Sequence, residues 1–103
     1  MKIRNLFQKT ICSLITIIYV SKDKTIKQEA SKYLRDLVYQ YDKYVKHKNV
    51  YELGFKYSAA DVSDFMYKCI ESKDDIIWLS EDMFYGFEEL LDTILEERSL
   101  HNS

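Results

Sequence analysis

Residues 25–47, TIKQEASKYLRDLVYQYDKYVKH, decide the fold. Ile26, Ala30, Tyr33, Leu34, Leu37, Val38, Tyr41, Tyr44 and Val45 recur at steps of three and four for five turns. That period puts them on one face of an α-helix. Thr25 caps its first amides, with Gln28 at capping-box spacing. Lys43, Lys46, His47 and Lys48 gather at its end, where cations suit the helix dipole.

The same period extends outward in both directions. Over residues 2–20 the stripe is Ile3, Leu6, Phe7, Ile11, Leu14, Ile15 and Ile18, widened by Ile17 and Val20. A third helix is predicted over 59–72, with Ser58 and Asp61 at capping-box spacing and Tyr57 and Val62 at staple spacing. Its buried face is Val62, Phe65, Met66, Cys69 and Ile70. A fourth is predicted over 81–98, capped by Ser80 with Glu81 and Asp82 in the first turn. Its stripe is Phe84, Phe87, Leu91, Ile94 and Leu95, flanked by Met83 and Leu90. Gly86 inside it costs about 1 kcal/mol relative to Ala, a cost that suits a close helix contact. Between helices two and three, Gly54 is the candidate for a left-handed residue and Val50–Leu53 for a short helical turn. Before helix four, Ile76-Ile77-Trp78-Leu79 is an apolar run in a connection. Either it packs over the open end of the bundle, or helix three extends further than residue 72, or the run stands out as an anchor for a partner, since Trp is favoured at binding hot spots.

A chain of 103 residues is one domain, and 47% apolar content supports a core. Two glycines and no proline remove most tight-turn chemistry, which argues against sandwiches and barrels. The connections are short, and short connections make antiparallel neighbours. The expected fold is therefore all-α, a single-domain, up-down-up-down antiparallel four-helix bundle over residues 1–103.

The net charge of −2 hides a division. Residues 1–50 hold 11 basic and 4 acidic residues, a sum of +7, and residues 51–103 hold 4 and 13, a sum of −9. Either the two basic helices pack beside the two acidic ones and the fields partly cancel, or the chain presents two separate surfaces, a basic one for anionic lipid or nucleic acid and an acidic one for a cationic peptide or protein. Helix order in space decides between them. Cys12 and Cys69 both sit in apolar stripes and read as buried thiols, with no disulfide and no zinc cluster. Met1–Lys9 is basic and Ile11–Val20 mostly apolar, but no small-residue cleavage pattern follows and the run is too short to span a bilayer. It reads as a core helix, with a peripheral membrane contact through Lys2, Arg4 and Lys9 as the alternative.

Catalytic constellations are missing by spacing. His47 lies at a basic helix end and His101 near the end of the chain, neither with a spaced nucleophile or carboxylate. No Glu-x-x-His pattern and no glycine-rich phosphate loop occur, so no metal or cofactor is expected. Glu88, Asp92 and Glu96 fall four apart, so their carboxylates stack on one helix face and repel by a few tenths of a kcal/mol each. They read as a solvated face or as a docking stripe for a cationic partner. Tyr33, Tyr39, Tyr41 and Tyr44 share helix two with Lys27, Lys32, Arg35, Lys43 and Lys46. Stacking aromatics among basic residues suit nucleic acid, yet three of these tyrosines lie on the buried stripe, so core use is the better reading.

The order and length of the helices resemble the enterocin A-type (class II) bacteriocin immunity proteins. The resemblance is carried by Ser21-Lys22-Asp23-Lys24 before a Leu/Tyr-rich helix two, and by Lys46-His47-Lys48 followed by Tyr51-Glu52-Leu53. It continues through a third helix, a short apolar link, Ser80-Glu81-Asp82 and Glu88-Glu89-Leu90-Leu91. It implies a cytoplasmic, non-enzymatic bundle, at most peripheral at the inner face of the membrane. Such a bundle protects a producing cell by acting at the complex of the bacteriocin with its membrane receptor, a mannose phosphotransferase permease. The residues after helix four are few, and the second half is acidic where many relatives are basic. On this reading the contact residues are Trp78, Glu88, Asp92 and Glu96, and the partner is protein. Ser58–Ile94 is also loosely similar to colicin D-type immunity proteins, which points to a nuclease toxin domain as the alternative partner. A small nucleic-acid-binding regulator using helices one and two is the third reading.

Overall fold

The computed structural model describes residues 2–101. It contains four α-helices, α1 (Lys2–Val20), α2 (Lys24–His47), α3 (Ala59–Glu71) and α4 (Ile77–His101), with a 3₁₀ turn over Val50–Glu52. No strand occurs among the described residues. The fold is an all-α bundle of 47 × 22 × 21 Å. α1 packs extensively on α4 and α2, α3 packs mainly on α4, and α2 and α3 meet over a small area.

Aromatic rings fill the centre. Phe7 of α1 is fully buried, with ring centroids 5.4 Å from Tyr41, 6.2 Å from Tyr44 and 5.9 Å from Phe55. Phe55 meets Phe87 of α4 edge-on at 5.6 Å. Phe55 thus comes from the loop after the 3₁₀ turn and packs against both Phe7 of α1 and Phe87 of α4. Tyr33 packs against Tyr57 (4.8 Å) and Phe65 (5.3 Å) in the same way. Burying rings of this size contributes about 1.5–3 kcal/mol each, and offset and edge geometries add to it.

Polar contacts tie both ends. At one, the Ser21 hydroxyl donates to Asp74 Oδ2 at 2.7 Å and the Lys22 amide to the same oxygen at 3.2 Å, joining the α1–α2 turn to the α3–α4 connection. These hydrogen bonds, Ser21 foremost, hold the Asp74 carboxyl below the usual range. At the other end Arg98 of α4 donates to the carbonyls of Val50 (2.9 Å) and Leu53 (2.7 Å), and Tyr51 Oη donates to the Arg98 carbonyl at 2.8 Å.

Several local expectations are corrected. Asp23, not Thr25, caps α2. Its Oδ1 accepts from the amides of Thr25 (2.8 Å) and Ile26 (3.3 Å), and a carboxylate at the positive end of the dipole outdoes a hydroxyl. Lys48, not Gly54, takes the left-handed conformation (φ 53°), its amide donating to the Tyr44 carbonyl as α2 ends. The predicted Ser58–Asp61 capping box is present. α4 begins at Ile77, so Ser80 lies inside it, with its hydroxyl donating to the Ile77 carbonyl at 2.7 Å, and Glu81 and Asp82 fall beyond the first turn. The reason is burial: Ile76, Ser80, Met83 and Phe87 share one inward stripe, so packing draws the helix upstream of the polar cap signal. α4 also runs past residue 98 to His101, and α3 stops at Glu71.

The inward stripes shift by a residue in places. Ile15, Val38, Val45 and Leu95 are exposed, while Thr10, Ile17, Asp36, Gln40 and Thr93 are buried. Cys69 is buried, but Cys12 is exposed.

Candidate functional site

The four residues singled out from the sequence all lie on α4, and all four are exposed. With Asp82, Tyr85 and Glu89, three of them form one outward stripe at steps of three and four: Trp78, Asp82, Tyr85, Glu89, Asp92 and Glu96. At 1.5 Å per residue it runs about 27 Å from Trp78 to Glu96. Glu88 stands beside the stripe. Asp82 and Glu89 are already among the acidic residues the sequence places on this helix, whereas Tyr85 is not singled out, because a helix begun at residue 81 sets the outward face by its C-terminal half. The signal was present, since Trp78, Tyr85 and Asp92 are seven apart.

The apolar run before the predicted start of helix four splits its role. Ile76 is fully buried, whereas Ile77 is 45% and Trp78 61% exposed. The first seats the helix and the other two face outward. Further along α4, Leu95 and Leu100 are exposed beside Asp92, Glu96 and Ser99 around a shallow surface hollow.

Charge is distributed by helix. α1 and α2 each carry a formal +3, α3 carries −2 and α4 carries −6. The contacts place the two basic helices side by side and the two acidic helices on the other side. Each basic helix also borders an acidic one, α1 on α4 most extensively, so the two charge regions adjoin along the bundle. They meet at seams where Lys2 bridges to Glu89 (3.5 Å) and Lys68 of α3 donates to Glu29 of α2 (2.6 Å). Glu89 is the member of the outward stripe engaged in an ion pair among the described residues. Asp82, Asp92 and Glu96 leave their charge to solvent.

Other chemistry-bearing groups are dispersed. His47 Nδ1 pairs with Glu52 Oε2 of the 3₁₀ turn, a carboxylate partner that its place at a basic helix end concealed. The side chain of His101 lies outside the described residues. No group of three metal-ligating side chains converges among the described residues. Burial pushes the Cys69 thiol up to about 12, away from thiolate chemistry. Burial likewise pushes the Tyr33 phenol, which donates to the Asp61 carbonyl at 3.2 Å, up to about 12. Tyr41 Oη accepts from Gln8 Nε2 (2.9 Å) and Arg4 Nε (3.3 Å), and these bonds lower its phenol against the opposing effect of burial. No helix among the described residues is long and apolar enough to cross a membrane.

Comparison with known proteins finds no matching family model, no matching curated protein and no matching solved structure.

Proposed function

We propose that this chain is a non-enzymatic binding protein of the bacteriocin-immunity kind, gripping a cationic protein partner with the outer face of α4. The supporting observation is that face itself: an aromatic pair, Trp78 and Tyr85, within a run of carboxylates of which Glu89 pairs with Lys2 while Asp82, Asp92 and Glu96 have no ion pair among the described residues. Stacked like charges destabilise an isolated helix, and a basic partner segment removes that repulsion while the indole supplies apolar contact area. The resemblance in helix order to class II immunity proteins supplies the biological setting, a bacteriocin held by its membrane receptor.

Expression of the chain in a panel of sensitive Gram-positive strains is expected to raise resistance to one class II bacteriocin. Trp78→Ala, and the triple change Glu88→Lys, Asp92→Lys, Glu96→Lys, are expected to abolish that protection while circular dichroism stays unchanged. Equal killing of all strains with and without the chain overturns the reading. A second reading, inhibition of a nuclease toxin, draws on the same acidic face as a mimic of nucleic acid. It requires a tight soluble complex with a toxin domain that the triple variant fails to form.

A further inference from the structure

We propose that the cleft between α2 and the loop following the 3₁₀ turn binds a nucleoside phosphate, free or as the repeating unit of a single strand. Lys32, Arg35 and Tyr39 of α2 form one wall, Lys56 and Tyr57 of the loop the other, with Asp36 also lining it. α2 and α3 meet over only a small area, and the loop following the 3₁₀ turn lines this side of α2. That loop is held in place from below. Buried Asp36 accepts the Lys56 amide on Oδ2 at 2.9 Å, and buried Gln40 exchanges hydrogen bonds with both backbone groups of Gly54, at 2.9 and 3.0 Å. Asp36 Oδ1 in turn accepts from Gln40 Nε2 at 3.3 Å. Both carboxylate oxygens are therefore engaged within the loop clamp.

Three cations are left facing the cleft. Lys32, Arg35 and Lys56 make no ion pair with any carboxylate among the described residues, in contrast to Lys2, Lys46 and Lys68. Clustered unpaired cations raise a positive local potential. An arginine fork with flanking ammonium groups fits a phosphate, which accepts from all of them. The aromatic walls narrow the ligand further. Tyr39 is 62% exposed, unlike the other tyrosines of α2, so its ring is open to a flat partner. Lys43 Nζ lies 5.5 Å from the Tyr39 ring centre, and Lys32 Nζ lies 5.2 Å from that of Tyr57. Base stacking on tyrosine beside phosphate-binding cations is the chemistry of nucleotide capture. The core role of Tyr33, Tyr41 and Tyr44 stands, and Tyr39 is the member of that set free for it. The cleft lies on α2, away from the α4 stripe, and is independent of the immunity reading.

Isothermal titration of the full chain with adenosine triphosphate, a thymidine dodecanucleotide and inorganic pyrophosphate tests this, at about 50 and about 200 mM salt. Binding of the triphosphate or the oligonucleotide is expected, weaker at the higher salt, and the stronger of the two tells the free ligand from the strand. Arg35→Glu is expected to weaken it at least about tenfold, and Tyr39→Ala about fivefold or more, with pyrophosphate unaffected by the tyrosine change. Both side chains are exposed, so circular dichroism should confirm intact variants. No heat with either nucleotide at low salt, unchanged affinity in Arg35→Glu, or pyrophosphate binding as tight as the triphosphate overturns the proposal.

Discussion

Gly86 shows how one residue sets a helix approach. A Cβ at this position would lie 2.8 Å from the Thr10 hydroxyl of α1, which is itself buried and donates to the Leu6 carbonyl. Helix propensity favours Ala here by about 1 kcal/mol, but a clash in a close-packed core costs about 1–3 kcal/mol. Gly86→Ala is therefore expected to destabilise, and in a Thr10→Ala background the same change is expected to become neutral or stabilising. Urea melts of the four proteins measure the coupling, and strict additivity would refute the contact. The two cysteines differ by the same residue-scale logic. Cys12 is exposed, whereas burial raises the Cys69 thiol to about 12. One thiol is expected to react with a disulfide reagent in the native protein and the second only on unfolding. Apolar periodicity located both cysteines on helical stripes. It could not show that Cys12 falls at the outer margin of its stripe, because neighbouring helices cover only part of an apolar arc.

At the scale of elements, the sequence identifies helices better than their ends. Three-and-four spacing marks all four, yet α4 starts at Ile77 because Ile76 and Ser80 are buried by its neighbours. A serine before two acids reads locally as a cap, and tertiary packing overrides it. The Asp36–Gln40 clamp was equally hidden, since two polar residues on a buried face look like interruptions until the loop they hold is in view. Gln40→Ala removes both hydrogen bonds to Gly54 and is expected to cost about 1–2 kcal/mol. Hydrogen exchange should show the Gly54 amide losing protection while amides in the middle of α1 and α4 keep theirs relative to global stability. Equal loss everywhere would make Gln40 a general core residue and not a loop clamp.

For the whole molecule, the order of helices around the bundle converts a charge division along the chain into a division in space. α1 and α2 adjoin at +3 each, with α4 at −6 packed on α1 and α3 at −2 bordering α2. A protein with a net charge of −2 and interleaved charges would bind only an anion exchanger at pH 7. This one is expected to be retained on both anion and cation exchangers at low ionic strength and to elute from both as salt screens its faces. Passage through the cation exchanger without delay would contradict separated surfaces. Asp92 and Glu96 were legible as outward residues because a helix period assigns them to one side, whereas Trp78 joins them only because α4 begins at Ile77. The cleft of Lys32, Arg35, Tyr39, Lys56 and Tyr57 was not, because its walls are joined by folding and stand up to 25 residues apart in the chain. The amino-acid order by itself determined that four amphipathic helices form, since side-chain period and scarcity of glycine and proline are local properties of the chain. Only the tertiary structure decided where α4 begins, that Cys12 faces solvent and how the charges face one another. Each of those depends on which surfaces neighbouring helices cover, and coverage is a property of packing.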